Sequence, residues 1–226
     1  MSEERLKASI DELIALVVHD LRNPVATVSA NVSFVKEVGP GDDEDAAEAL
    51  EDIETALGDL MRGLEQLGWV GRWIGGNTAM DGAPSDAREA VRAAVSRLGG
   101  AAAAELPEEA VYVRAGGGAL TRLVELLLRN ALSHAPASSV RVTLRAEGDA
   151  AVVEVHDGGR AVGEDLRDEV FTLDGQQRLK GRADGRYSRV VGLLAARALA
   201  DSIGATLEAN GADGDAVFRI RAPLDR

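Results

Sequence analysis

Six consecutive residues, His19-Asp20-Leu21-Arg22-Asn23-Pro24, set an imidazole, a carboxylate and an amide within two turns of a strongly periodic helix. An imidazole nitrogen can attack phosphorus and carry a phosphoryl group, provided the other ring nitrogen keeps its proton. Asp20 is placed to hold that proton, as an orienting carboxylate does in general base and nucleophilic catalysis. Asn23, one turn on, can position a water or a partner's carboxylate. Pro24 has no amide hydrogen and is expected to disturb the helix near residue 20, loosening the turn that holds the histidine.

The element that must position these groups is a helix whose apolar residues, Leu6, Ile10, Leu13, Val17, Leu21, Val25, Val28, Val32 and Val35, keep the three-four spacing of one buried stripe. His19 lies off that stripe, with Ala15, Leu16, Arg22 and Asn23 as its helical neighbours, so its ring is expected to face outward toward a partner. A lone exposed histidine is ordinarily a solvated surface residue. The carboxylate and amide beside it are what distinguish this one.

Gly39-Pro40-Gly41-Asp42-Asp43 is a turn cluster, and a second helix is expected after Asp42 or Asp43, with acidic residues at its N-terminus. Its residues Leu50, Ile53, Leu57, Leu60, Leu64, Leu67 and Ile74 keep a heptad spacing, predicting a coiled-coil seam. The two helices form an antiparallel hairpin, but Leu16, Val18, Met61, Trp69, Val70 and Trp73 exceed what one hairpin can cover. A dimer forming a four-helix bundle would bury them. The alternative is a monomer whose hairpin packs on its own second domain.

The 226 residues contain 25 Lys and Arg against 38 Asp and Glu, for a net charge of -13. That balance argues against sequence-independent nucleic-acid binding and against an anionic membrane surface. Without cysteine there are no disulfides or thiolate metal sites, and three histidines are too few for a histidine cage, so any metal would be held through oxygen. No apolar run approaches a membrane span, and MSEERLKASIDEL is charged rather than signal-like. A cytoplasmic protein is expected, its input coming from another protein or a soluble ligand.

After Gly75-Gly76-Asn77 and Asp81-Gly82-Ala83-Pro84-Ser85-Asp86 the pattern changes to mixed helix and strand. Helices are expected over about 86–98, 120–134 and 191–203. A strand pair, 140–146 and 151–156, brackets Glu147-Gly148-Asp149, and the last strands lie near 206–209 and 216–222. The Ala-rich stretch 99–105 is expected to be a loop or linker. Helices segregated beside a mostly antiparallel sheet make an α+β two-layer sandwich. The expected domains are a helical hairpin at 1–76, a linker at 77–85 and the sandwich at 86–226.

HDLRNP followed by VATVSANVSFV closely resembles the phosphoacceptor box of two-component sensor histidine kinases. The second domain resembles the ATP-binding domain of the same kinases, within the wider family of gyrase, Hsp90 and MutL ATPases. Three boxes carry that likeness. Leu126-Leu127-Leu128-Arg129-Asn130-Ala131-Leu132-Ser133-His134 matches the helix with a magnesium-binding asparagine, here Asn130, whose amide oxygen is a reasonable hard ligand. In Val153-Glu154-Val155-His156-Asp157-Gly158-Gly159 the matching aspartate, Asp157, accepts the adenine amino hydrogen, and Gly159 belongs to a glycine turn that lets the backbone approach the base. Gly192-Leu193-Leu194 heads a helix that would face phosphates, followed by Ala205-Thr206-Leu207-Glu208. Each box is weak alone, but their order after an HDLRNP helix is specific.

Four positions depart from the pattern. Leu126 stands where the first asparagine of N-x-x-x-N is usual, and Ser133 where a phosphate-reaching lysine is common. Ala161 replaces the last glycine of D-x-G-x-G. Val190 replaces the first glycine of the G-x-G before the helix, and a β-branched side chain there disfavours positive φ and crowds a triphosphate. The lid-length segment 171–190 carries Arg178, Lys180, Arg182, Arg186 and Arg189 in an otherwise acidic chain. It could clamp phosphates, dock on an acidic partner such as a receiver domain, or be a solvated mobile loop.

Three functions follow from the resemblance. The first is a histidine phosphotransferase: His19 takes a phosphoryl group from a phospho-aspartate on one receiver domain and passes it to another response regulator, beside a degenerate ATP domain. An upstream sensor kinase would then feed it. The second is an ATP-dependent histidine autokinase without a sensor, using ATP and magnesium at Asn130, Asp157 and Gly159. The third is a non-enzymatic pseudokinase scaffold. Whether phosphorylation runs within one chain or across the dimer depends on the handedness of the loop near 39–44, and phosphatase activity stays open.

Overall fold

The computed structural model describes residues 3–38, 44–74, 83–114, 118–133, 135–159, 161–167, 169–180, 190–212 and 215–225. Within these, side chains are described except at 3–16, 18–20, 38, 44, 165, 177, 179, 180, 190 and 212. The chain divides into two compact units, Met1–Trp69 and Val70–Arg226.

The first unit is a pair of long helices, α1 (Glu3–Val38) and α2 (Glu44–Ile74), with the last turn of α2 counted in the second unit. Helix α1 runs on through Pro24. The connection at 39–43 lies outside the described residues. Asn31 donates to Asp52 at 3.2 Å, and a Cβ on Gly63 would come 2.9 Å from Leu21 Cδ2. Ten residues back along α1 the contact has moved eleven residues on along α2, as antiparallel helices require.

The packed line on α2 differs from the expected seam. Ala46, Ala49 and Ala56 are buried, with Ile53, Leu60, Gly63 and Leu67 half-buried on the same three-four line. Leu50, Leu57, Met61 and Leu64 are exposed, at 49%, 45%, 72% and 59%. Small residues let α1 approach one side of α2, and the large apolar residues fall on the adjacent side. The heptad pattern therefore contains two lines, of which the hairpin covers one.

In the second unit a five-stranded sheet has the order β2 (Ala103–Glu105), β4 (Arg141–Glu147), β5 (Ala150–Asp157), β7 (Asp215–Pro223), β6 (Thr206–Ala212). Among the described strands of this sheet only the β2–β4 pair is parallel. β2 corrects the expectation of a structureless Ala-rich 99–105. A short strand of three alanine-flanked, exposed residues has no apolar alternation to announce it, and its place is decided by pairing with β4. A separate two-residue pair joins β1 (Ser85–Asp86) to β3 (Tyr112–Val113).

Helices α3 (Ala87–Arg97), α4 (Ala119–Leu132) and α6 (Val190–Ser202) pack side by side, with α4 in the middle and over β5. Asp86 caps α3 by accepting from the Arg88 amide at 3.0 Å and from the Val111 amide at 3.3 Å. The core lies between helices and sheet: Leu123, Leu127 and Leu194 on the helices and Val153, Val155 and Ile220 on the strands are all nearly inaccessible. Phe171 meets Phe218 edge to face, centroids 5.9 Å apart. A short helix α5 (Leu173–Lys180) precedes the segment 181–189, which lies outside the described residues together with Arg182, Arg186 and Arg189.

Among the described residues of the second unit, no helix covers the other sheet face. Arginine and carboxylate side chains cross-link it instead: Glu154 accepts from Arg145 and from Arg219 at 2.7 Å, and Arg221 donates to Glu147 at 2.9 Å. Val152 and Val217 on this face are nonetheless buried, consistent with guanidinium stems lying over them. Among the described residues no helix is long and apolar enough to cross a membrane.

Candidate functional site

The sequence-predicted residues fall in two groups, one on each unit. On the first, His19 and Asp20 belong to α1, and their side chains lie outside the described set. Asn23 is exposed, and its main-chain carbonyl accepts from the Thr27 hydroxyl at 3.3 Å.

On the second unit the three boxes sit on α4, on β5 and at the head of α6. Those three elements are neighbours because α4 packs against both α6 and β5. Asn130 is 8% exposed on the last turns of α4, and its amide Nδ2 is buried with no hydrogen-bond partner. A buried amide end costs about 1–3 kcal/mol unless a water or ligand pairs with it. Around it, Leu126 is half-buried and Ser133 closes the helix, its hydroxyl donating to the Asn130 carbonyl at 2.9 Å. His134 lies outside the described residues.

Asp157 ends the central strand β5 and is 2% exposed. Its carboxylate accepts from the Gly159 amide at 2.7 Å, which shapes the glycine turn. At Gly158 a Cβ would stand 2.8 Å from Ser139 Cβ, so glycine is needed for the turn to lie against the 3-10 turn Ala137–Ser139. Ser139 was not among the residues that sequence reasoning singled out, since nothing in its local pattern announces a contact made across the fold. Gly192 is half-buried in the first turn of α6. Ala161 is half-buried after the turn, and the Val190 side chain lies outside the described set.

Burial raises the Glu154 carboxyl, but hydrogen bonds from Arg145 and Arg219 more than offset it and leave it below the ordinary glutamate value. No cluster of three or more His, Asp or Glu that could hold a metal occurs among the described residues.

Residues 117–226 match the model of the histidine kinase-, DNA gyrase B- and HSP90-like ATPases. Residues 117–226 form a domain of the histidine kinase-, gyrase- and HSP90-like ATPase type. This core continues into curated relatives: the chain is 26% identical over 237 residues to the sensor protein KdpD of Clostridium acetobutylicum, covering 100% of this chain and 25% of that protein. It is 26% identical over 227 residues to KdpD of Mycobacterium tuberculosis, covering 95% and 26%. The chain thus spans about a quarter of the length of these relatives.

Solved structures share the fold. The Acinetobacter baumannii histidine kinase AdeS matches with a TM-score of 0.65 at 14% identity, over 92% of this chain and 98% of that one. Full-length ShkA, solved in complex with AMPPNP, matches with 0.60 at 20% identity, over 99% of this chain and 46% of that one.

Proposed function

We propose that the chain is a phosphorelay protein that carries a phosphoryl group on His19 and passes it to an aspartate of a response-regulator receiver domain. In the favoured reading the group arrives from the phospho-aspartate of another receiver. A nitrogen of His19 attacks phosphorus, the acyl-phosphate P–O bond breaks, and the donor aspartate leaves as a carboxylate. Asp20 keeps the proton on the other ring nitrogen, and Asn23 orients the incoming carboxylate.

The observation that carries this reading is at the end of α4. Ser133 stands where a phosphate-reaching lysine is common, and its hydroxyl is already committed to the Asn130 carbonyl. Leu126 offers no amide, and Ala161 and Val190 replace glycines. The ATP core then serves as a docking domain.

A second reading, an ATP-dependent autokinase, is favoured by the unpaired amide of Asn130. A half-turn about its last torsion exchanges oxygen and nitrogen, so the free end can be presented as an acceptor. The residues fit: Asn130 would hold magnesium, Asp157 would accept from the adenine, and Gly159 and Gly192 would let backbone approach the nucleotide. Magnesium, when bound, neutralises phosphate charge.

A homodimer completes the proposal. Leu50, Leu57, Met61 and Leu64 form an exposed apolar line on α2, which a second copy would cover in a four-helix bundle.

Labelling separates the readings. Purified protein is incubated with γ-labelled ATP and magnesium, or with a labelled phospho-receiver, and His19→Ala serves as control. Acid-labile, base-stable label from the receiver alone supports the phosphotransferase. Label from ATP selects the autokinase. No label from either overturns both and leaves the pseudokinase scaffold.

A further inference from the structure

On the open face of the sheet, His156 Nδ1 lies 2.8 Å from an Arg141 guanidinium nitrogen and 2.9 Å from a carboxylate oxygen of Asp215. These two contacts make opposite demands on one atom. Arginine can only donate, so its contact needs a bare Nδ1. An ionised aspartate can only accept, so its contact needs a proton on Nδ1. One protonation state satisfies one partner, and the arginine and aspartate are themselves 3.6 Å apart, close enough to exchange the ring for each other.

The surroundings complete the device. Arg141 comes from β4 and Asp215 from β7, the two strands that flank His156 on β5. Glu154, on the same strand as the histidine, lies 4.0 Å from Nε2 and is itself held by Arg145 of β4 and Arg219 of β7. The ring is 12% exposed. It opens into a shallow groove of about 640 Å³, also lined by Glu105, Thr143 and Arg145, through which protons reach it.

We propose that His156 is a proton-operated switch: neutral, it accepts from Arg141; protonated, it releases Arg141 and donates to Asp215, and the exchange is passed to the glycine turn 157–159. Two paths, each a step along the chain followed by a non-bonded contact, connect the switch to that turn. His156 is the residue before Asp157, whose carboxylate holds the Gly159 amide. Arg141 begins β4 two residues after Ser139, whose Cβ lies against Gly158. The switch is built into the sandwich and works alike whichever phosphoryl donor is used. Between about pH 5 and 8, where imidazole side chains change charge, it would alter the seat of whatever the turn binds.

The test is NMR on the full chain labelled at histidine nitrogens and glycine amides, titrated from pH 8 to 5, with His156→Gln identifying the signals. At high pH the His156 ring is expected with a bare Nδ1, and at low pH with both nitrogens protonated. The Gly158 and Gly159 amides are expected to shift with the same midpoint, and to lose that titration in His156→Gln. Asp215→Asn removes the partner of the protonated ring and Arg141→Gln the donor to the neutral ring, so the two variants are expected to move the exchange in opposite directions. The two strand-end variants keep the test valid if His156→Gln does not fold. A ring whose Nδ1 holds one protonation state across the range overturns the proposal. So do glycine shifts that persist in His156→Gln, or midpoints unmoved by both strand-end variants.

Discussion

The hydroxyl of Ser133 donates to the main-chain carbonyl of Asn130 at 2.9 Å and closes the last turn of α4 at the position where the resemblance to histidine kinases implies a phosphate-reaching lysine. If the missing cation limits nucleotide binding, Ser133→Lys should tighten the affinity for a magnesium-bound ATP analogue by about tenfold, the worth of one charge-assisted hydrogen bond. Calorimetry on the two proteins decides it. Equal affinities would place the limitation elsewhere, at Leu126, Ala161 or Val190.

Asn130 keeps an unpaired buried nitrogen in the absence of ligand. Asn130→Leu, of similar volume and without polar atoms, should therefore stabilise the unliganded chain by about 1–3 kcal/mol, seen as a higher urea midpoint. The same substitution should abolish binding of the nucleotide analogue. A lower midpoint would mean that the amide is satisfied in the unliganded fold.

Gly158 and Ser139 touch without room for another carbon. Gly158→Ala should cost about 1–3 kcal/mol through overpacking, and Ser139→Gly should recover most of that loss when the two are combined. A double-mutant cycle by denaturant unfolding measures the coupling. Additive effects would show that the contact is not what constrains position 158.

Glu154 and Asp86 are both held below their ordinary carboxyl values. At Glu154 burial is more than offset by the arginine hydrogen bonds, and at Asp86 the Arg88 hydrogen bond outweighs burial. A depressed folded value means stability that is fully present above the unfolded pKa, about 4, and lost as pH falls through the folded value. Urea midpoints should accordingly drop between about pH 5 and 3. In Glu154→Gln the slope over that window should be shallower, and an unchanged slope would exclude Glu154 from the acid transition. Asp86→Ala should cost about 1–2 kcal/mol at neutral pH, the usual loss for a helix cap.

The exposed line Leu50, Leu57, Met61 and Leu64 predicts a light-scattering mass near twice 23.7 kDa at micromolar concentration. Leu57→Glu with Leu64→Glu should return it to the mass of one chain while helical circular dichroism is kept. A wild-type mass of one chain would refute the bundle.

The extents of the long helices were legible because Leu, Val and Ile recur at helical spacing along them, and strands β4 and β5 because apolar residues run between turn signals. The line on α2 that packs in the hairpin was legible at Ile53, Leu60 and Leu67 but not at its other members. Ala46, Ala49, Ala56 and Gly63 weigh little in a hydrophobic pattern, and close helix approach gives small residues their value. The strand at 103–105 was hidden for a related reason, since its pairing partner lies almost forty residues further on.

The site divides in the same way. Local sequence determined the HDLRNP string, the asparagine of α4, and the aspartate with its glycine turn, because each is a short run whose chemistry is carried by adjacent residues. Only the tertiary structure decided that Asn130 is buried with an unpaired amide, that Gly158 rests on Ser139, and that His156 lies between Arg141 and Asp215. These contacts depend on strand register and helix packing, which bring together side chains that are distant along the chain and carry no mark of one another in sequence.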